Sequence, residues 1–116
     1  MRAKLTPPRS IAVLRGGALG DFVLTLPVIA SLRASLPDAA VVLVAHPAYA
    51  ALAAPAAILD VNGAALTSLH VPGGAAAGSA AATMARVSRT IAFTTDPDGV
   101  VAANLERWNA GPVAVS

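Results

Sequence analysis

The sequence predicts an α/β fold: an open, all-parallel sheet in the order 3-2-1-4-5 with helices on both faces. Short apolar runs at residues 11–14 and 40–45 are unbroken rather than alternating, as in strands buried on both sides. Stretches with apolar residues at steps of three and four lie between such runs, so strand and helix alternate along the chain. Right-handed crossovers leave few topologies for that alternation. The favoured one reverses direction between the first and fourth strands, which opens a crevice at their C-terminal ends.

Residues 1–10 read as a basic leader carrying Arg2, Lys4 and Arg9, and residues 11–116 as the folded domain. Ile11-Ala12-Val13-Leu14 is the first strand. From Asp21, the positions Phe22, Leu26, Ile29, Leu32 and Leu36 have helical spacing, and Pro37-Asp38 ends that segment. Pro27 inside it either bends the helix or marks a new start with Thr25 as its cap. Residues 40–45 form the clearest strand, stopped by Pro47, which can open a helix over residues 47–54. The third strand is expected at 57–61, followed by a turn at Asn62-Gly63 and a short helix at 64–70; the alternative puts it at 68–71. A helix follows at 79–88, with Met84 and Val87 on one side. The fourth strand is expected at 90–94, turn and cap chemistry at Asp96-Pro97-Asp98-Gly99, a helix at 100–108, and the last strand at 112–115.

Composition narrows the function. More than half of the 116 residues are apolar and about a quarter are alanine, so the core is built from thin side chains. Eight basic residues against six acidic ones give a net charge of +2, with no run of adjacent Lys or Arg. A nucleic-acid footprint is therefore not indicated. The absence of cysteine excludes disulfides and thiolate metal sites. A secretory signal needs an unbroken apolar core of about 7–15 residues, and here Arg15 and glycines interrupt it. Residues 39–59 carry no Asp, Glu, Lys or Arg, but Pro47, Pro55 and His46 interrupt them, so at most peripheral membrane contact and a cytoplasmic location are expected.

The functional candidate is Arg15-Gly16-Gly17-Ala18-Leu19-Gly20-Asp21, a glycine-rich turn between a strand and a helix. Free amides at a helix start, together with its dipole, attract anions, and glycines let a ligand approach the main chain. A dinucleotide fingerprint would need glycine where Arg15 stands and an acidic residue where Ala45-His46-Pro47 closes the second strand. A P-loop would need a Lys-Ser or Lys-Thr pair after the glycines, which is absent. The predicted order brings Asp96 and Asp98 to the same crevice as Asp21.

The segment Arg15-Gly16-Gly17-Ala18-Leu19-Gly20-Asp21-Phe22-Val23-Leu24-Thr25-Leu26-Pro27 resembles the N-terminal motif of glycosyltransferase family nine, the ADP-heptose:lipopolysaccharide heptosyltransferases. The likeness continues through Leu32-Arg33, Leu36-Pro37-Asp38, residues 41–45 and His46-Pro47-Ala48-Tyr49, and returns at 93–99 and Asn104-Leu105. It implies a Rossmann-like domain forming the N-terminal, acceptor-binding half of a GT-B fold, which transfers a sugar with inversion and without metal. On this resemblance Asp21 is the general base, and Arg15, Gly16, Gly17, Ala18, Gly20 and Asp96 are candidate substrate contacts. No cofactor is implied. The partners are a lipopolysaccharide acceptor and an ADP-sugar donor, the latter held by a C-terminal domain or partner chain beyond these residues. The isolated chain is therefore expected to fold but to turn over no sugar. The alternative is a non-catalytic Rossmann-like fragment or partner-binding subunit. Without the resemblance, Asp21 reads as a helix cap, His46 as structural or solvated, Trp108 as packing, and Arg86, Arg89 and Arg107 as solvated helix faces.

Overall fold

The computed structural model describes residues 10–17, 19–108 and 111–115. Strands β1 (Ser10–Arg15), β2 (Ala40–Ala45), β3 (Ala57–Asp60), β4 (Arg89–Phe93) and β5 (Val113–Val115) form one sheet in the order β3-β2-β1-β4-β5. Every pairing is parallel. The chain thus has the expected Rossmann-like α/β architecture, with β1 at the centre. Arg15, the last residue of β1, lies in register with Ala45 on one side and Phe93 on the other.

Strand geometry sends successive side chains to opposite faces, and the central strands feed two separate cores. Ala12 and Leu14 join Val42, Val44, Leu59 and Ala92 on one face. That face is covered by Leu66 and Leu69 of a 3₁₀ helix (Ala64–His70), by Ala80 and Met84 of α4 (Gly78–Ala85), and by Val101, Leu105 and Trp108 at α5 (Val100–Arg107). Val13 joins Val41, Leu43 and Ala45 on the other. Its cover is Phe22 of α1 (Leu19–Val23), Ile29 of α2 (Leu26–Ser35), Ala50 of α3 (Pro47–Ala50) and Ala53 of a following 3₁₀ turn (Ala51–Ala53). Helices on both faces explain why these strands read as continuous apolar runs.

Several boundaries differ from the sequence expectation. The helix expected from Asp21 onward is two helices, interrupted at Leu24-Thr25. Pro27 falls in the first turn of α2, where its missing N–H costs nothing, and Thr25 occupies the cap position. The Thr25 hydroxyl does not cap, however; it donates to the Asp21 carbonyl at 3.2 Å. The helix expected at 47–54 ends in the 3₁₀ turn, closed by Ala54 in a left-handed conformation (φ 47°). The third strand lies at Ala57–Asp60, and the alternative at 68–71 is overturned because the 3₁₀ helix runs through Ser68 to His70. The charge-free stretch at 39–59 divides into β2, α3, the turn and β3. The leader at 1–9 lies outside the described residues, while Ser10 is already part of β1.

The loop after the 3₁₀ helix is fastened by α5. Buried Asn104 donates through Nδ2 to the carbonyls of Ser68, Leu69 and Val71 at 3.3, 2.8 and 2.9 Å. Trp108 Nε1 and Arg107 Nη2 both donate to the Gly74 carbonyl, at 3.0 and 2.7 Å. Arg107 also donates to Asn104 Oδ1. This corrects the reading of Arg107 as a merely solvated side chain, and Trp108 is structural as expected. Arg89 is the first residue of a strand, not part of a helix face.

Candidate functional site

The C-terminal rim of the sheet is where the candidate residues meet. Because β1 and β4 are parallel neighbours, the turn after Arg15 and the loop after Phe93 leave the sheet side by side. Asp21 is the third residue of α1, within its first turn, so the helix starts slightly earlier than expected. Its side chain is 52% exposed rather than packed inward. Arg15 Nη2 lies 3.4 Å from Asp21 Oδ1, and the Arg15 guanidinium carbon lies 5.8 Å from the centre of the Phe93 ring. Arg15 thus bridges the ends of the two strands, held between a carboxylate and an aromatic face. Its Nε is buried without a hydrogen-bond partner among the described residues.

Of the turn glycines, one is required by conformation. Gly17 has φ 90°, and a Cβ there would stand 2.7 Å from Asp21 Oδ2. The bare main chain of Gly17 therefore makes room for the Asp21 carboxylate. By contrast, Gly16 and Gly20 have open space where a side chain would go and do not share that left-handed conformation, and Gly20 lies inside α1. Of Gly16, Gly17 and Gly20, Gly17 alone uses the backbone freedom that glycine allows. Ala18 lies outside the described residues.

Asp96 caps α5, in keeping with the turn and cap chemistry expected at 96–99. The amides of Val101 and Ala102 donate to its Oδ1 and Oδ2, each at 3.0 Å, so both carboxylate oxygens satisfy otherwise unpaired donors at the start of α5. The turn from Asp96 to α5 closes through Gly99 at φ 71°. Asp96 is on the expected rim and caps the helix there. Asp98 beside it is exposed.

Sequence reasoning left His46 and Tyr49 outside the site residues. His46 caps α3, its Nδ1 accepting the Ala48 amide at 3.3 Å. Its ring stacks on Tyr49 with centroids 4.4 Å apart, and Tyr49 in turn lies 6.3 Å from Phe22 of α1. The His-Pro-x-Tyr spacing at a strand end was the available signal. These rings form the wall of the rim on the β2 side, next to α1.

Among the described residues no group of three or more His, Asp or Glu side chains could hold a metal ion, and no helix is long and apolar enough to cross a membrane. The rim carries an exposed carboxylate beside a guanidinium, with stacked aromatic rings near α1. No family model, curated protein or solved structure matches the chain.

Proposed function

We propose that this domain is the acceptor-binding half of an inverting, metal-independent glycosyltransferase of the heptosyltransferase type, with Asp21 as the general base. The observation that carries the reading is the Asp21 carboxylate, half exposed at the C-terminal rim beside the β1–β4 junction, seated against Gly17 and oriented by Arg15. Ligands of open parallel sheets bind in that crevice.

In this reading an acceptor hydroxyl lies against Asp21, and its oxygen attacks the anomeric carbon of an ADP-sugar. The hydroxyl proton passes to the Asp21 carboxylate as the new C–O bond forms. The bond from the anomeric carbon to the departing phosphate oxygen breaks, and ADP leaves with that electron pair. Arg15 can exchange its contact with Asp21 for an anionic group of the acceptor, since a single exposed contact of this kind contributes less than about 1 kcal/mol. The Tyr49 and His46 rings would pack against the sugar faces of the acceptor. The donor would be held by a second, facing half, whether further chain or separate protein, and its closure would exclude water from the base.

The test is to titrate the chain with a lipopolysaccharide inner-core oligosaccharide while recording backbone amide shifts, and to assay transfer from ADP-heptose in parallel. The expected result is saturable binding centred on Gly16, Gly17 and Asp21, with no turnover by the isolated chain. Shifts scattered elsewhere overturn the acceptor site. Transfer that survives in Asp21→Asn overturns the assignment of the base.

A further inference from the structure

A cavity of about 330 Å³ opens at the other end of the sheet, lined by Ser10, Val42, Ala57, Ser79, Ala82, Thr83 and Arg86. Ser10 begins β1 and Arg15 ends it, so the Ser10 edge of this cavity lies about 17 Å along the strand from the rim that carries Asp21, and Val42, in register with Ala12, about 10 Å. We propose that it is a second binding site, for a small amphipathic carboxylate, independent of the transferase reading.

Its floor and its wall differ in chemistry. Val42 and Ala57, on adjacent strands, together with Ala82 supply apolar surface. The other wall is one face of α4 and the residue that follows it. Ser79, Thr83 and Arg86 follow one another at steps of four and three, which sets two hydroxyls and a guanidinium along about 10 Å of the helix. The side chains of Ser79, Thr83 and Arg86 make no hydrogen bond or ion pair with another described residue. The main chain of Arg86, however, is anchored at the mouth. Ser10 Oγ donates to its carbonyl at 3.2 Å, and the Ser88 amide donates to the Ser10 carbonyl at 2.9 Å.

A fixed backbone with an unpaired, forked cation beside an apolar hollow suits a planar carboxylate head on an aliphatic body. The full charge of Arg86 outweighs the partial negative charge, about half a unit, at the C-terminal end of α4. Arg86 is the one cation among the described lining residues, and it selects a single negative charge. The hydroxyls of Ser79 and Thr83 would hydrogen-bond the second carboxylate oxygen or a hydroxyl on the body.

Octanoate, 1-octanol and acetate serve as probes in amide-shift titrations of the full chain. Octanoate is expected to saturate with shifts at Ser79, Thr83 and Arg86, while octanol, lacking the charge, and acetate, lacking the body, each bind about tenfold more weakly or worse. Arg86→Gln should weaken octanoate about tenfold and leave octanol unchanged. Ala82→Leu, which fills the hollow from an exposed helix position, should weaken both. Equal binding of octanol and octanoate, shifts centred elsewhere, or an Arg86→Gln variant that binds octanoate like the parent overturns the proposal. Thermal melts of both variants show that any lost binding is not lost folding.

Discussion

Gly17 and Gly20 stand three residues apart in the same glycine-rich segment, yet they should respond in opposite directions to the same substitution. Gly17→Ala places a side chain on a residue with φ 90° and drives its Cβ into the Asp21 carboxylate. The backbone conflict should destabilise the fold by about 1–2 kcal/mol. The carboxylate, being the flexible end of its side chain, should swing away from Arg15 and weaken acceptor binding. Gly20→Ala lies in a helix with nothing within 4 Å, so it should be neutral or stabilising by up to about 1 kcal/mol. Urea denaturation of the two variants checks both signs. Asp96→Ala belongs at the same scale: losing both oxygens that accept the α5 amides should cost about 1–2 kcal/mol, measured in the same way. The sequence put Arg15 and Asp21 on the correct rim, because a strand end followed by a helix start leaves little freedom. Which glycine adopts the left-handed conformation was not legible. That choice depends on where the Asp21 carboxylate lands, a tertiary fact. The Asp-Pro-Asp-Gly turn signalled a cap and left open which aspartate supplies it.

The elements themselves were written plainly in the chain, since β1 (at 11–14) and β2 carry continuous apolar runs and need cover on both faces to exist as such. The break between α1 and α2 was harder to place. Pro27 permits either a kink or a fresh start, and the choice falls to Thr25, whose hydroxyl bonds back to Asp21. Hardest to read was the fastening of the 68–75 loop, because its bonds join residues more than thirty positions apart. A signal did exist: Val101, Leu105 and Trp108 set the buried stripe of α5, and Asn104 falls on it. A buried asparagine must find partners, and here three carbonyls share its amide. Asn104→Ala should therefore cost about 1–3 kcal/mol, above an ordinary surface change, by leaving the buried Leu69 carbonyl without a donor and removing one of two donors from the Ser68 and Val71 carbonyls. Amide exchange provides the specific check. The Gly74 amide, which donates to the Val71 carbonyl at 2.8 Å, should lose protection in the variant beyond the global change. An unchanged Gly74 would mean that the loop is held by Arg107 and Trp108 without Asn104.

The two cores share their middle strands, an arrangement expected to make the described domain unfold as one cooperative unit. Val13 and Leu14 are neighbours in β1, yet one packs under Phe22 and the other under Met84. Alanine-rich packing concentrates much of each face in a few large residues, and Phe22 is the bulkiest fully buried one. Phe22→Ala should cost about 3–5 kcal/mol through lost burial and an unfilled cavity, a large fraction of the stability expected for a domain of this size. The single tryptophan, Trp108, lies in the opposite core, across the sheet from that cavity. If the sheet couples the faces, Trp108 fluorescence and far-UV circular dichroism should move together to the same lower denaturant midpoint in Phe22→Ala. A fluorescence midpoint that stays at the parent value while the dichroism midpoint falls would show two faces melting separately. The α1 face, with Asp21 at its edge, would then be free to open while the other core remains packed.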